Sequence, residues 1–339
     1  MHLSALEVYR CPETGQQFVL EEGAIVVDGE IIEGVLASEV GKKYRIEEGM
    51  PNFTFPDNLQ EQDYSSRKEY DAASHDYNMH QHVTFDVFCQ DEISFRNDIV
   101  DLLHIDESDK VLEIAAGTGL NLPHIFGKLN GSGVLFVQDI SVGMLRVCRE
   151  LANSSSSVQC DCSIGNSAFL PFPDNYFDSA LSFGGIGVFS NQERAIQEMV
   201  RVVKPGGRIV FGDEGVGPWL KKTTYGKILI DNNPFYSDEA PIDLLPIEAR
   251  DVVVRWVLGG GFYLVDFSVG NGEPVSNFNY QIPGPRGGTH KTRYFGKLEG
   301  VTLETKYLAQ KARDKSGKSM HEWLDGVVRR AADEELSHR

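Results

Sequence analysis

The sequence has no run approaching the ~20 consecutive apolar residues that a membrane-spanning helix needs, and Met1 to Arg10 hold no apolar stretch of signal-peptide length. Cysteine is scarce. The five residues Cys11, Cys89, Cys148, Cys160 and Cys162 are an odd number in a chain of 339. They do not have the form of a disulfide framework, which points to a reducing compartment. Together these shortages predict a cytoplasmic protein. Positive charge is also short: 32 Lys and Arg stand against 50 Asp and Glu, a net charge of −18. Affinity for nucleic acid rests on Lys and Arg neutralising phosphates, and an anionic membrane surface asks for the same. Neither a nucleic acid nor a membrane is an expected partner, although net charge does not exclude a local basic patch.

What is present is enough for a globular protein. Hydrophobic residues make up 41% of the chain and charged residues 24%, the balance of an ordinary globule with a sizeable core. The chain divides into three regions. Residues 1–56 are short alternating runs with many Gly and Glu. Residues 57–100 begin polar and then become rich in Tyr, His and Phe. From about 101, apolar strands alternate with helical stretches, which argues for βαβ units and a parallel sheet. The predicted strands are Lys110 to Ala115, Gly133 to Gln138, Val158 to Ile164, Phe177 to Phe183 and Arg208 to Phe211. Ser190 reads as an N-cap with Glu193 completing a capping box, opening a helix that stops at Lys204-Pro205-Gly206-Gly207. Leu258 to Phe262 fits either a hairpin turn or the end of a helix. The helix end is preferred, with Tyr263 to Val269 as a sixth strand and Arg293 to Val301 as a candidate seventh. Ser154 to Ser157 reads as a loop. Ser319 to Leu336 carries apolar residues at helical spacing.

The chemistry concentrates in Val111-Leu112-Glu113-Ile114-Ala115-Ala116-Gly117-Thr118-Gly119. A buried strand ends there and turns into a helix. Gly117 and Gly119, lacking Cβ, let the backbone approach a ligand, and the helix start offers unpaired N–H groups. The next strand ends in Asp139, whose carboxylate can accept from ribose hydroxyls. A glycine-rich turn alone leaves a nicotinamide-binding domain equally open.

Four segments in order carry a more specific resemblance: VLEIAAGTG (111–119), QDISVGML (138–145), GNSAFLPFPDNYFD (165–178) and EMVRVVKPGG (198–207). This stretch, roughly 105–215, resembles the class I S-adenosylmethionine-dependent methyltransferases, especially those of ubiquinone and menaquinone biosynthesis. The resemblance implies an α/β fold, a Rossmann-like sheet with helices on both faces, and S-adenosyl-L-methionine as cofactor, with S-adenosyl-L-homocysteine as product. It implies that Glu113, Gly117 and Gly119 surround the methionine part and that Asp139 holds the ribose, with Ile140 and Met144 beside the adenine. Asn166 and Ser167 would meet the adenine edge, and Phe183 and Gly184 would line the floor near the sulfonium. Ala115 belongs to the same turn, where the family usually has Gly. Asn166 stands where Asp is common, and a His often found after the fourth strand is absent from Gly184 to Phe189.

Cys11 to Thr14, Gly34 to Ser38 and Tyr44 to Phe53 resemble the small zinc-ribbon-like domain of the tRNA-methyltransferase activator family. Of its two Cys pairs only Cys11 remains, and a structural zinc site wants four ligands. The expectation is a β-rich ribbon-like domain over 1–56 without metal, serving packing or dimerisation, so a homodimer is among the expected assemblies. Residues 57–100 would be a linker and helical lid. Tyr hydroxyls there, Tyr77 among them, would bind the cofactor carboxylate, and a histidine such as His80 would serve the substrate; exposed surface histidines are the bland alternative. The remainder, 101–339, would be the cofactor-binding domain, with a substrate-shaping insertion at 216–250 and a C-terminal helical extension.

Asp213 and Glu214 follow the fifth strand, at the sheet edge where ligands bind. They read as candidate general bases ahead of His80, or as loop carboxylates capping the next helix. Trp219, Trp256, Asn232, Asn233 and Phe235 are candidates for a substrate pocket or for core and turns. Cys160 and Cys162, two apart on a strand, read as core rather than metal ligands. Thr289 to Arg293 is a short basic patch, or an exposed hairpin. The expected reaction is in-line methyl transfer to an O, N or C atom of a small molecule. An RNA base methyltransferase and a non-catalytic cofactor-binding subunit of another methyltransferase are the rivals.

Overall fold

The computed structural model describes residues 1–155, 158–295 and 301–337. Its contacts cluster into two compact units, Met1–Glu273 and Pro274–Arg339, so the predicted 101–339 domain extends over both.

The first unit opens with strands β1 (Phe18–Leu20), β2 (Ile25–Val27), β3 (Glu30–Ser38), β4 (Lys43–Glu47) and β5 (Met50–Pro51), which form an antiparallel sheet around β3. Helices α1 (Glu61–Ala73), α2 (Tyr77–Val87) and α3 (Glu92–Asp101) follow. Then come β6 (Lys110–Ile114), α4 (Leu122–Phe126), β7 (Val134–Asp139), α5 (Val142–Ser155), β8 (Gln159–Ile164), β9 (Phe177–Phe183), α6 (Gln192–Val202), β10 (Val203–Glu214), α7 (Thr224–Asn232), β11 (Ala249–Val257) and β12 (Phe262–Val269). The large sheet runs β11-β12-β10-β9-β6-β7-β8. Its five strands from β10 to β8 pair parallel, while β12 lies antiparallel between β10 and β11, so that β11 again runs in the direction of the parallel set.

Period-two alternation sorts the strands' side chains into two cores. Leu112, Phe136, Ala180, Ile209 and Val265 face the N-terminal sheet and α6. Their neighbours Val111, Leu135, Leu181, Val210 and Leu264 face α3, α4 and α5. Tyr9 shows how residues 1–56 join the large sheet: its ring lies 4.8 Å from Phe53 and 5.7 Å from Phe136. Burying that aromatic surface on the sheet face merges the two layers into one core. The segment also reaches the β8 edge, where Phe53 N–H donates to the Ile164 carbonyl at 2.7 Å, Asn52 bridges Ile164, and His2 N–H donates to buried Asp161 at 2.7 Å.

Several predicted boundaries shift. Leu258 to Phe262 is a hairpin turn, not a helix end. Arg250 to Val257 is rich in β-branched residues and pairs antiparallel with β12, and Gly259 and Gly260 take positive φ at the turn. This makes β11 the seventh strand. The suggested strand at Arg293–Val301 begins instead inside helix α8 (His290–Phe295), its residues 296–300 lying outside the described set. The Thr289–Arg293 patch therefore starts a helix. The Ser154–Ser157 run continues α5 to Ser155, and 156–157 are also outside the described set. The α6 N-cap is Asn191, whose side chain accepts from Arg194 N–H. Ser190 is drawn away by Asp63, which takes both its N–H at 3.0 Å and its hydroxyl at 2.6 Å. The second unit holds α8, α9 (Leu303–Ser316) and α10 (Met320–Ser337). Among the described residues no helix is long and apolar enough to cross a membrane.

Candidate functional site

The carboxyl ends of β6, β7 and β8 meet at one cleft, the position where open α/β sheets bind ligands. After β6 the chain turns through Ala115 and Gly117 at φ 53° and 56°. This aims the Gly117 N–H at Asp139 at the end of β7, which accepts it at 2.8 Å. The other Asp139 oxygen accepts from Ser141 N–H, also at 2.8 Å. Each oxygen keeps a second acceptor direction. Burial pushes the Asp139 pKa up, while the backbone N–H donors pull the other way.

The glycines differ in purpose. A Cβ on Gly117 would meet nothing within 4 Å, so its bare Cα faces open cleft. A Cβ on Gly119 would lie 2.8 Å from the Cys148 sulfur. Gly119 is there for packing and lines no described cavity. Ala115 holds a left-handed conformation that costs a Cβ-bearing residue about 1–2 kcal/mol. Its methyl uses room left by Gly185, where an added Cβ would come within 2.5 Å of it.

The cleft encloses about 620 Å³, open to solvent. Of the residues expected at the cofactor, Tyr77, Ala115, Gly117, Asp139, Ile140, Met144, Asn166, Ser167 and Gly184 line it. Phe183 lines an adjoining chamber of about 1300 Å³ instead. Glu113 lines neither cavity. It is 1% exposed, and its Oε1 accepts from Asn121 Nδ2 at 2.8 Å while Oε2 is buried without a partner. Burial raises its pKa to about 7. Asn121, which lines the chamber, in turn accepts from Arg96 at 2.8 Å, so Glu113 reaches the site only through Asn121.

Asn166 is spoken for on both sides. Its Oδ1 accepts from Ala168 N–H at 3.0 Å and its Nδ2 donates to Asp63 Oδ2 at 3.1 Å. The acceptor in that corner is the Asp63 carboxylate, 5% exposed and lining the cleft. An Asp at 166 would set two carboxylates against each other, which accounts for the amide here. Nothing in the polar stretch from Pro56 to Asp63 singles out Asp63 without the fold. Ser66, Tyr70, Gln138, Val188 and Phe189 were likewise missed as cleft residues or given only a general lid role.

Helices α1 and α2 lie over the cleft, pinned by short polar bonds. Asp71 accepts from the Ser141 hydroxyl at 2.7 Å and from Gly143 N–H at 2.9 Å. Asn78 accepts from the Thr118 hydroxyl at 2.5 Å. Tyr70 and Tyr77 pack edge to face with centroids 6.2 Å apart, and both line both cavities. Burial raises both their pKa values. His80 is exposed on α2 and lines neither cavity. The face of α2 turned to the cavities carries Tyr77, Gln81, Thr84 and Phe85, and His80 falls on the flank of that face, in solvent.

The chamber takes Asp213 and Glu214 from the end of β10. Asp213 is 4% exposed and accepts from Gly187 N–H at 2.7 Å and Glu214 N–H at 2.8 Å. Burial, reinforced by the adjacent Glu214 carboxyl, pushes its pKa well up. Of the predicted pocket aromatics and amides, Asn233 and Phe235 line the chamber, whereas Trp219 packs on Trp256 at 5.4 Å outside it.

A family model described as a methyltransferase domain matches residues 112–211. A ubiquinone/menaquinone biosynthesis C-methyltransferase of Pasteurella multocida is 31% identical over 183 residues, half of this chain and 67% of that protein. The chain belongs to the class I S-adenosylmethionine-dependent methyltransferases. The same-named protein of Pseudomonas paraeruginosa is 36% identical over 118 residues, 33% of this chain and 44% of that one. The chain thus spans less than half the length of this second relative. A Haemonchus contortus phosphoethanolamine N-methyltransferase 2, solved with S-adenosyl-L-methionine, shares the fold at 12% identity and TM-score 0.50, over 67% of this chain and 63% of that one.

S-adenosylmethionine is the cofactor of this methyltransferase, and the cleft's own features fit it. The open space over Gly117 admits a ligand against the backbone, Asp139 offers a carboxylate to a diol, and Ile140 and Met144 give a flat base an apolar wall.

Proposed function

We propose that the protein transfers a methyl group from S-adenosylmethionine to a small molecule held in the chamber beside the cofactor cleft. One observation carries this reading: cleft and chamber share a wall of Tyr70, Tyr77, Ala115, Gly117, Gly184 and Val188. A donor in one and an acceptor in the other meet across that wall. When bound, the cofactor supplies a methyl group already activated on a sulfonium, so the protein's part is alignment and exclusion of water. On this reading Asp139 fixes the ribose, the backbone at Ala115 to Gly117 borders the methionine portion, and Asp63 accepts from the adenine amino group. Tyr70 and Tyr77 close the wall. Asp213 and Glu214 stand where an acceptor's proton would be taken up.

Calorimetric titration of S-adenosylhomocysteine into the protein and its Asp139→Ala variant, followed by transfer of labelled methyl to candidate acceptors, tests the proposal. Micromolar binding that collapses in the variant is expected. Tight binding with no transfer to any acceptor would favour a non-catalytic subunit and overturn it.

A further inference from the structure

We infer that the methyl acceptor is a cationic amine with no anionic group of its own. This rests on the chamber being the acceptor site. Among the described residues the chamber is lined by three acidic groups, Glu69, Asp213 and Glu214, of which burial pushes Asp213 toward its neutral form, and by one cation, Arg96. Two of the three guanidinium nitrogens of Arg96 are engaged. Its Nε donates to Glu92 at 2.8 Å, its Nη1 donates to Asn121 at 2.8 Å, and its guanidinium lies 5.5 Å from the centre of the Phe85 ring. Among the described residues no Lys or His lines the chamber. A phosphate or carboxylate acceptor would therefore meet an acidic lining offset by a single, partly engaged guanidinium. A positively charged acceptor meets the reverse.

The walls point the same way. Tyr70, Tyr77, Phe85, Phe235 and Phe262 bound the space, and aromatic faces attract desolvated ammonium groups. Asp213 is held by two backbone N–H donors, which fixes that carboxyl group, while the aromatic side chains supply apolar lining for the rest of the molecule. The neutral alternative is a quinol-like acceptor, matching the names of the relatives. It would use the aromatic walls but leave the acidic lining facing an uncharged ring.

The reaction balances with groups already present. An entering ammonium gives its proton to the Glu214 carboxylate. The freed nitrogen lone pair attacks the methyl carbon, the N–C bond forming as the C–S bond breaks and the bonding pair staying on sulfur. The products are an N-methylammonium and S-adenosylhomocysteine.

The test uses the full chain saturated with S-adenosylhomocysteine and sets of ligands that differ only in charge. Tyramine, tryptamine and hexylamine would each be titrated beside a neutral and a carboxylate analogue of the same skeleton. At least a 10-fold preference for the amine is expected in one or more sets, with no detectable binding of the carboxylates. Glu214→Gln should cut that preference by 10-fold or more, and Glu69→Gln should cut it less. Retained S-adenosylhomocysteine binding in both variants shows that they are folded. Tighter binding of the neutral analogues, of the carboxylates, or no amine preference in any set would overturn the inference. Failure of the unmodified protein to bind S-adenosylhomocysteine would instead strike the underlying proposal.

Discussion

The cofactor cleft and the acceptor chamber share a wall yet are built by different means. The cleft is made largely by backbone turns at strand ends and by two carboxylates, Asp63 and Asp139, the latter bonded to Gly117 and Ser141 N–H. The chamber shares part of those turns and adds side chains from α1, α2, α3, the end of β10 and the segment following α7. It has its own buried carboxylate, Asp213, also holding two backbone N–H groups. Asp139 and Asp213 sit at equivalent places on neighbouring halves of the sheet. On the proposed reading, one faces the cofactor and the other faces the methyl acceptor. A shared ligand is served by fixed backbone geometry, and a particular ligand by replaceable side chains.

Substitutions can separate the two. The largest expected effect is in the chamber: Glu214→Gln should slow methyl transfer by roughly 100- to 1000-fold while leaving the S-adenosylhomocysteine Kd within about threefold. Parallel losses of rate and of cofactor affinity would show that chamber and cleft are not separate. Glu113→Gln probes the support behind the cleft. With its pKa raised by burial from 4.5 to about 7, the folded state holds a proton that the unfolded chain has released. That contribution is complete below pH ~4.5 and is lost as pH rises through ~7, so stability should fall by about 3 kcal/mol across the window. Urea unfolding at several pH values should show a fall in the parent that is smaller by about this amount in the variant, the remainder coming from Asp139 and Asp213. Asp139→Ala should weaken S-adenosylhomocysteine roughly 100-fold, as expected for losing charge-assisted bonds, measured by calorimetry. The smallest effect is at Ala115. Replacement by Gly relieves the left-handed strain, partly offset by a looser unfolded chain, and thermal unfolding should show a gain of up to about 1 kcal/mol.

The sequence announces the cleft because its constraints are local. Two glycines, a strand-end Asp and a helix start must lie close along the chain, so Ala115, Gly117, Asp139, Ile140 and Met144 were all legible and all line the cavity. The parallel strands were legible for the same reason, each being a buried run ended by a turn. Contacts between distant segments were not. Asp63 draws Ser190 out of its predicted capping role from 127 positions away. His80 and Tyr77 looked alike as lid residues until the fold separated them. Glu113 carried the motif's acidic residue, yet the fold turns it inward onto Asn121. The β11–β12 hairpin was hidden because three consecutive glycines suit a helix end as well as a turn.

The two edges of the large sheet carry a consequence for solubility during folding and storage. An open strand edge is a template for pairing with another molecule. The β8 edge is occupied at Ile164 by residues 52 and 53 and near Asp161 by His2. Among the described residues of its own unit the β11 edge has no such cover, but its register breaks between Arg250 and Val253, with Asp251 at positive φ. Such a bulge twists an edge away from regular pairing. One border is capped and the other is made irregular, so loss of the N-terminal cover would open a regular parallel edge to aggregation, even with the cofactor cleft intact.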